Sequence, residues 1–162
     1  MYSLKEIAHI VNGKLVGNPN VIIKNLITDT RRINDAQNSV FFALVTDKNN
    51  GHNYIKDAVE KNIAAAIVNK QPQTDCTYIL VKDTLAALQA LSKHHRKQYK
   101  YPIVGITGSN GKTIVKEWIS FLLQDQFNVC KNPKSYNSQI GVPLSVWGLK
   151  NKHNLGVFEA GI

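Results

Sequence analysis

Residues 107–113 read TGSNGKT: two glycines three positions apart, with a lysine and a threonine directly after the second. A glycine lets the backbone approach a phosphate with no Cβ in the way. The chain at Gly108, Ser109, Asn110 and Gly111 can therefore wrap backbone N–H groups around an anion, while Lys112 reaches the β- and γ-phosphates and the Thr113 hydroxyl ligates Mg²⁺. The P-loop pattern G-x-x-x-x-G-K-[ST] places a further glycine five positions before Gly111, and here that position is Ile106. A plain glycine turn before an amphipathic helix is the competing reading. It is weakened by the flanks, because YPIVGIT before the loop reads as a strand and KTIVKEWISFLLQDQ after it as a helix, with an apolar stripe at Val115, Trp118, Ile119 and Leu122. Strand, loop and helix together direct N–H groups at one point on the positive end of a helix dipole, which suits a nucleoside triphosphate.

Such a loop commonly works with an acidic residue at the end of a neighbouring strand, where it holds the metal that bridges the phosphates. Glu159 is the candidate, since it follows the apolar run Leu155–Phe158 and would emerge at the same carboxyl edge as the loop. A glutamate that merely ends a surface strand would look the same in sequence. Asn137 and Gln139, in SYNSQIG, could serve a substrate or could stabilise their own loop by Asx-type hydrogen bonds.

The elements that must position these residues read as α/β. Ser3 and Glu6 form a capping box, and Leu4, Ile7, Ala8 and Val11 share one helical face that Gly13 closes, which predicts a helix over about 3–12. VIIKNLITDT and SVFFALV are β-rich and flank the polar RRINDAQN; the second leads into an exposed loop, TDKNNGHN. YIKDAVEKN is predicted helical, AAAIVNK and TYILVKD strands, and TLAALQALSKHHRKQY a helix capped by Asp83 or Thr84. A second α/β unit begins at Tyr101, with FNVCK and LGVFEAGI as further strands. No closing helix or polar tail follows that last strand, which predicts a piece of a longer protein.

Composition excludes several classes. No apolar run approaches the roughly 20 residues of a membrane span, so membrane insertion is not expected. Cys76 and Cys130 stand alone, without metal-ligand spacing, and read as buried small hydrophobes in a reducing compartment. The net charge of +9 raises nucleic-acid binding. Its only dense cluster, Lys93 to Lys100, falls at a helix end, where cations suit the dipole and a solvated face is expected, and it lacks interleaved aromatics apart from Tyr99 and Tyr101. No nucleic-acid partner is therefore expected. The charge equally suits a substrate with several phosphates.

TGSNGKT with its apolar Ile106, YNSQIGVP, VFEAGI, ITDTRR and FFALVTDKNNGHNYI together resemble segments of the Mur ligases, cytoplasmic enzymes that build the peptide of peptidoglycan. The resemblance covers essentially the whole chain. It implies an N-terminal α/β UDP-substrate-binding domain over 1–82, a connecting helix over 83–100, and over 101–162 the first half of a P-loop α/β ATP-binding domain. IGVP and EAG are most similar to the family member that adds D-alanyl-D-alanine to UDP-N-acetylmuramoyl-tripeptide. ATP and Mg²⁺ are the cofactors implied, with Thr113 and Glu159 on the metal and Lys112 and Asn137 in catalysis. Thr30, Arg31 and His52 are the candidates for the uridine diphosphate, an arginine fork being matched to paired phosphate oxygens. Thr46 and Asn50 depart from the family segment, which has glycine and aspartate there. SYNSQIGVPLSVW and FEAGI are also similar to a bifunctional form fused to an alanine racemase. Family enzymes carry a longer central domain, with a lysine modified to a carbamate, and a third domain, so the chain alone is expected not to turn over. A folylpolyglutamate synthetase would share the loop but not the DTRR and GHNY segments. A P-loop switch would show a base-specifying motif or a Walker B aspartate, and neither is present.

Overall fold

Alternating β-rich and helical segments give an α/β arrangement in each of the two units into which the chain divides, Met1–Leu91 and Ser92–Ile162. The computed structural model describes residues 1–46 and 49–161. Asp47 and Lys48 of the predicted exposed loop, and Ile162 at the end of the predicted last segment, lie outside the described residues.

In the first unit, β1 (Tyr2–Ser3) leads into α1 (Leu4–Ile10), followed by β2 (Lys14–Val16), β3 (Ile22–Ile23), β4 (Asn25–Ile27), β5 (Ser39–Phe42), β6 (Val45–Thr46), β7 (Asn49–Asn50), α2 (Ile55–Glu60), β8 (Ala65–Val68) and β9 (Tyr78–Leu80). The capping box forms: the Ser3 hydroxyl accepts from the Glu6 N–H, and the Glu6 carboxylate accepts from the Ser3 N–H at 2.7 Å. Five strands make one sheet in the order β2-β9-β8-β5-β4, parallel except for β2, which runs antiparallel to β9. The central strands β5 and β8 are buried at every residue, because both faces of a parallel sheet are covered. Phe41, Ala43, Ala66 and Val68 pack against Ile55 and Ala58 of α2.

The predicted connecting helix is α3 (Thr84–Lys97), and the boundary between the units falls inside it. Asp83 is its cap, accepting from the N–H groups of Leu85 and Ala86 at 2.8 and 3.0 Å.

The second unit contains β10 (Ile103–Ile106), α4 (Lys112–Leu123), β11 (Val129–Lys131), α5 (Gly141–Val146) and β12 (Leu155–Glu159). The three strands are parallel in the order β10-β12-β11. Two features of the sequence take definite form here, the second as a correction. The first concerns α4, which packs on the sheet through a face that buries Lys116 and Ser120, leaving Val115 exposed with Trp118 at 68% and Leu122 at 73%. That inward face is polar but satisfied, since the Ser120 hydroxyl donates to the Lys116 carbonyl at 2.7 Å and the Lys116 ammonium donates to two carbonyls. The second concerns the Lys93–Lys100 cluster, which is not uniformly solvated. His95 is buried against Tyr99 and Trp147, in hydrogen-bond contact with the Leu149 carbonyl at 3.1 Å, and burial holds its pKa below the ordinary imidazole value. Arg96 donates to the carbonyls of Tyr99 and Tyr101. No helix among the described residues is long and apolar enough to cross a membrane.

Candidate phosphate loop and substrate cleft

The glycine loop leaves the carboxyl end of β10 and opens α4. Gly108 has φ +143° and Gly111 φ +76°, conformations that L side chains rarely adopt. A Cβ built on either glycine would meet no atom within 4 Å, so there is room for a side chain and what requires glycine is the backbone conformation. Gly111 is the N-cap of α4 and provides no side-chain cap. The first N–H groups of a helix have no intrahelical acceptor and lie at the positive end of its dipole. The Lys112 ammonium reaches back across the loop to the Gly108 carbonyl at 2.5 Å. Ser109 and Asn110 are exposed at the tip, and Thr113 is half-buried in the first helical turn.

Register brings the acidic residue to this loop. β10 and β12 pair in parallel with Ile106 opposite Glu159, so the residue missing from the usual glycine pattern sits directly beside the carboxylate. The pairing continues one step further, with the Ala160 N–H donating to the Ile106 carbonyl at 2.9 Å. Glu159 is fully buried, and neither carboxylate oxygen has a hydrogen-bond partner among the described residues. A buried carboxylate with both oxygens unmatched is costly, and a hard cation is the partner that fits it.

Asn137 comes to the same edge. Its carbonyl accepts from the Gly161 N–H at 2.6 Å, which ties the polar loop to the chain two residues past Glu159. Two buried residues that sequence spacing had not singled out complete the neighbourhood. Asn132, directly after β11, accepts from the Glu159 N–H at 2.7 Å and donates to the Glu159 carbonyl at 3.1 Å. Lys116 donates to the Asn132 carbonyl at 3.1 Å and the Lys134 carbonyl at 2.5 Å, and its ammonium lies 3.3 Å from the Glu117 carboxylate. The only signal either gave in sequence was a polar residue flanking an apolar run.

In the first unit, Thr28, Asp29, Thr30, Arg31, Phe41, Asn49, Tyr54 and Asp57 line a cavity of about 420 Å³. Asp29 caps the short turn Thr30–Arg32 by accepting from the Arg31 N–H. The Arg31 guanidinium closes on the same carboxylate through Nε at 2.9 Å and Nη2 at 2.8 Å, and this pairing holds the Asp29 pKa at about 2. One edge of the fork is thereby fixed, and Nη1 meets no acceptor among the described residues. Thr30 is buried; its hydroxyl bonds to Asp57 and, with Lys61, lowers the Asp57 pKa. His52 is not in this cavity. It lines a separate one of about 380 Å³ with Lys56 and Lys70, and burial with the nearby Lys70 charge lowers its pKa. Asn50, at a position where the family segment has aspartate, caps the Gly51–Tyr54 turn by accepting from the His52 N–H at 3.1 Å, and also meets His52 Nδ1 at 3.0 Å. Thr46 pairs with Asn49 in the β6–β7 ladder, and its hydroxyl accepts from the Asn49 N–H at 3.2 Å.

The chain is similar in sequence and fold to known proteins. Residues 106–162 match the Mur ligase middle domain. The chain is 38% identical over 159 residues to the UDP-N-acetylmuramoyl-tripeptide–D-alanyl-D-alanine ligase of Buchnera aphidicola, an alignment covering 98% of this chain and 34% of the relative. It is 34% identical to the Bacillus subtilis enzyme of the same name, covering 99% of this chain and 36% of that one. The chain thus spans about a third of the length of the curated relatives it matches. Its fold superposes on a crystal structure of MurF from Acinetobacter baumannii with a TM-score of 0.90 at 24% identity, over 99% of this chain and 36% of that one. The MurF ligase of Thermotoga maritima in complex with ADP gives a TM-score of 0.74 at 26% identity, covering 85% of this chain and 32% of that one.

Proposed function

The chain belongs to the Mur ligase family, and from that premise we propose that it carries the uridine-nucleotide unit and the phosphate-gripping part of the ATP unit of a cytoplasmic ligase. The ligase joins D-alanyl-D-alanine to UDP-N-acetylmuramoyl-tripeptide at the expense of ATP, as the names of the relatives indicate for those proteins. The observation that supports this reading is the Ile106–Glu159 pairing, which sets a buried carboxylate without a partner among the described residues at the strand end from which the glycine loop leaves.

A carboxylate does not acylate an amine unaided. The γ-phosphoryl group of ATP passes to the tripeptide carboxylate, giving an acyl phosphate and ADP. The dipeptide amine then attacks the acyl carbon, inorganic phosphate leaves, and the amine proton goes to solvent. In such a transfer the protein contributes positioning and charge stabilisation. The loop amides at Gly108 to Gly111 bind phosphate oxygens, and Lys112 neutralises charge on the β/γ bridge. Thr113 and Glu159 would hold Mg²⁺, which supplies further neutralisation of the phosphates when bound. The Asn137 amide orients ATP or the acyl group. Arg31, through its Nη1 edge, binds the uridine diphosphate in the cavity it lines with Thr30; His52 contributes from its own cavity only if the ligand reaches both.

Calorimetric titration of the 162-residue chain tests this. UDP-N-acetylmuramoyl-tripeptide and ADP with Mg²⁺ should each bind saturably. Lys112→Ala should abolish the ADP response and leave the UDP response intact, and Arg31→Ala should do the reverse. Saturable binding of single-stranded DNA with neither nucleotide would overturn the reading.

A further inference from the structure

We propose that Asn132 is a positioning residue for the metal-binding carboxylate, the link through which helix α4 fixes where Glu159 stands. The inference rests on the reading of Glu159 given above and names the residues that hold it in place.

The β11–β12 ladder ends with Lys131 opposite Val157. Beyond that point the main chain of residues 132–134 turns away, and a backbone ladder can no longer hold the last residues of β12. The Asn132 side chain takes its place. Its Oδ1 accepts from the Glu159 N–H at 2.7 Å and its Nδ2 donates to the Glu159 carbonyl at 3.1 Å, the same donor and acceptor pair that a neighbouring strand would present. The second Nδ2 hydrogen goes to the Tyr136 carbonyl at 2.7 Å, on the loop that carries Asn137. The residue is 99% buried, with both Nδ2 hydrogens and Oδ1 bonded, so turning the amide over would set donor against donor at the Glu159 N–H.

Asn132 is held in turn from the helix. The Lys116 ammonium, wholly buried, donates to the Asn132 carbonyl at 3.1 Å and to the Lys134 carbonyl. Lys116 lies one turn of α4 after Lys112 and Thr113, on the helix that the phosphate loop opens. The bonds therefore run from the loop helix through Lys116 and Asn132 to the backbone of Glu159. Two parts of a nucleotide–metal site, a hydroxyl at the start of α4 and a carboxylate at the end of β12, must stand at a fixed separation for one ion to satisfy both. This strut sets that separation. Groups that orient metal ligands in this way are typically worth 10- to 100-fold in metal affinity.

The test reads the affinity of ADP for the chain with and without Mg²⁺, in the wild type, Asn132→Ala and Asn132→Asp. Asn132→Ala should lose about tenfold or more of the Mg²⁺-dependent gain in ADP affinity while keeping its metal-free ADP affinity, because the glycine loop and Lys112 are untouched. Asn132→Asp keeps the acceptor for the Glu159 N–H and loses the donor, so it should fall between the two, and it carries the same measurement if the alanine variant does not fold. A purely structural role would lower the unfolding temperature and both affinities together, and that result, or an unchanged Mg²⁺ gain in the folded variants, overturns the inference. A wild-type chain whose ADP binding shows no Mg²⁺ gain overturns the assignment of Glu159 itself, an outcome visible before any variant is compared.

Discussion

Replacing Glu159 with methionine should stabilise the metal-free chain while removing its response to magnesium nucleotide. The side chain is fully buried and both carboxylate oxygens lack a partner among the described residues, so folding strips them of water without return. A buried polar group left unsatisfied costs about 1–3 kcal/mol. Methionine has similar length and bulk, so the exchange opens no large cavity, and its thioether requires no hydrogen bond. The expected gain in EDTA is therefore about 1–3 kcal/mol, and for a unit of this size each kcal/mol raises the melting temperature by about 4–8 °C. ADP with Mg²⁺ at 100 times its dissociation constant should stabilise the wild type by about 2.7 kcal/mol, and should stabilise the variant through the metal-independent contacts alone. Thermal unfolding followed by circular dichroism, in EDTA and again with ADP and Mg²⁺, measures both effects. A variant that melts below the wild type in EDTA would refute the reasoning, because it would mean that the carboxylate has a stabilising partner inside the protein. The opposition of the two effects is characteristic of a residue kept for binding at the expense of stability.

Gly51→Ala should destabilise the first unit by about 1–3 kcal/mol or more, seen as a lower melting temperature and weaker UDP binding, since the added Cβ would lie 2.6 Å from the Ala43 carbonyl carbon and the Leu44 nitrogen, backbone atoms that cannot rotate aside; an unchanged melting temperature would contradict the geometry. Stability of that unit should also fall in acid through Asp29. Its folded pKa of about 2 lies below the ordinary 3.8, so its contribution is complete above pH 3.8 and is lost as the pH drops towards 2. Asp29→Asn should flatten the unfolding profile across that window, and a variant with the wild-type acid slope would show that the Arg31 pairing contributes nothing to it.

What the sequence made legible follows from physical constraints that are local. SVFF and AAIV could be read as buried strands because a parallel sheet covers both faces, which leaves an unbroken apolar run wherever the strand lies. Ser3 and Glu6 announced α1 because a capping box closes within four residues. The glycines of the phosphate loop were legible for the same reason, each required by its own φ. By contrast, the apolar stripe of α4 was legible as a stripe, but its direction was not. Periodicity states which residues share a face and leaves open which face meets the sheet. Here that choice is made by long-range partners: the carbonyls of Asn132 and Lys134 receive the Lys116 ammonium and make a polar face buriable. His95 escaped in the same way, a member of a cationic run whose ring is buried against Trp147 and bonded to the carbonyl of Leu149, both of them distant in sequence. Asn132 is the clearest case, for an asparagine after a short strand has the composition of any turn. Its role exists only because β11 stops pairing at Lys131 while β12 runs on to Glu159, so that a side-chain amide must stand in for a strand. Residues that grip a ligand betray themselves by type and spacing, because the ligand's chemistry dictates both. Those that hold the gripping residues in place answer to register, and register is settled only when strands far apart in the chain come together.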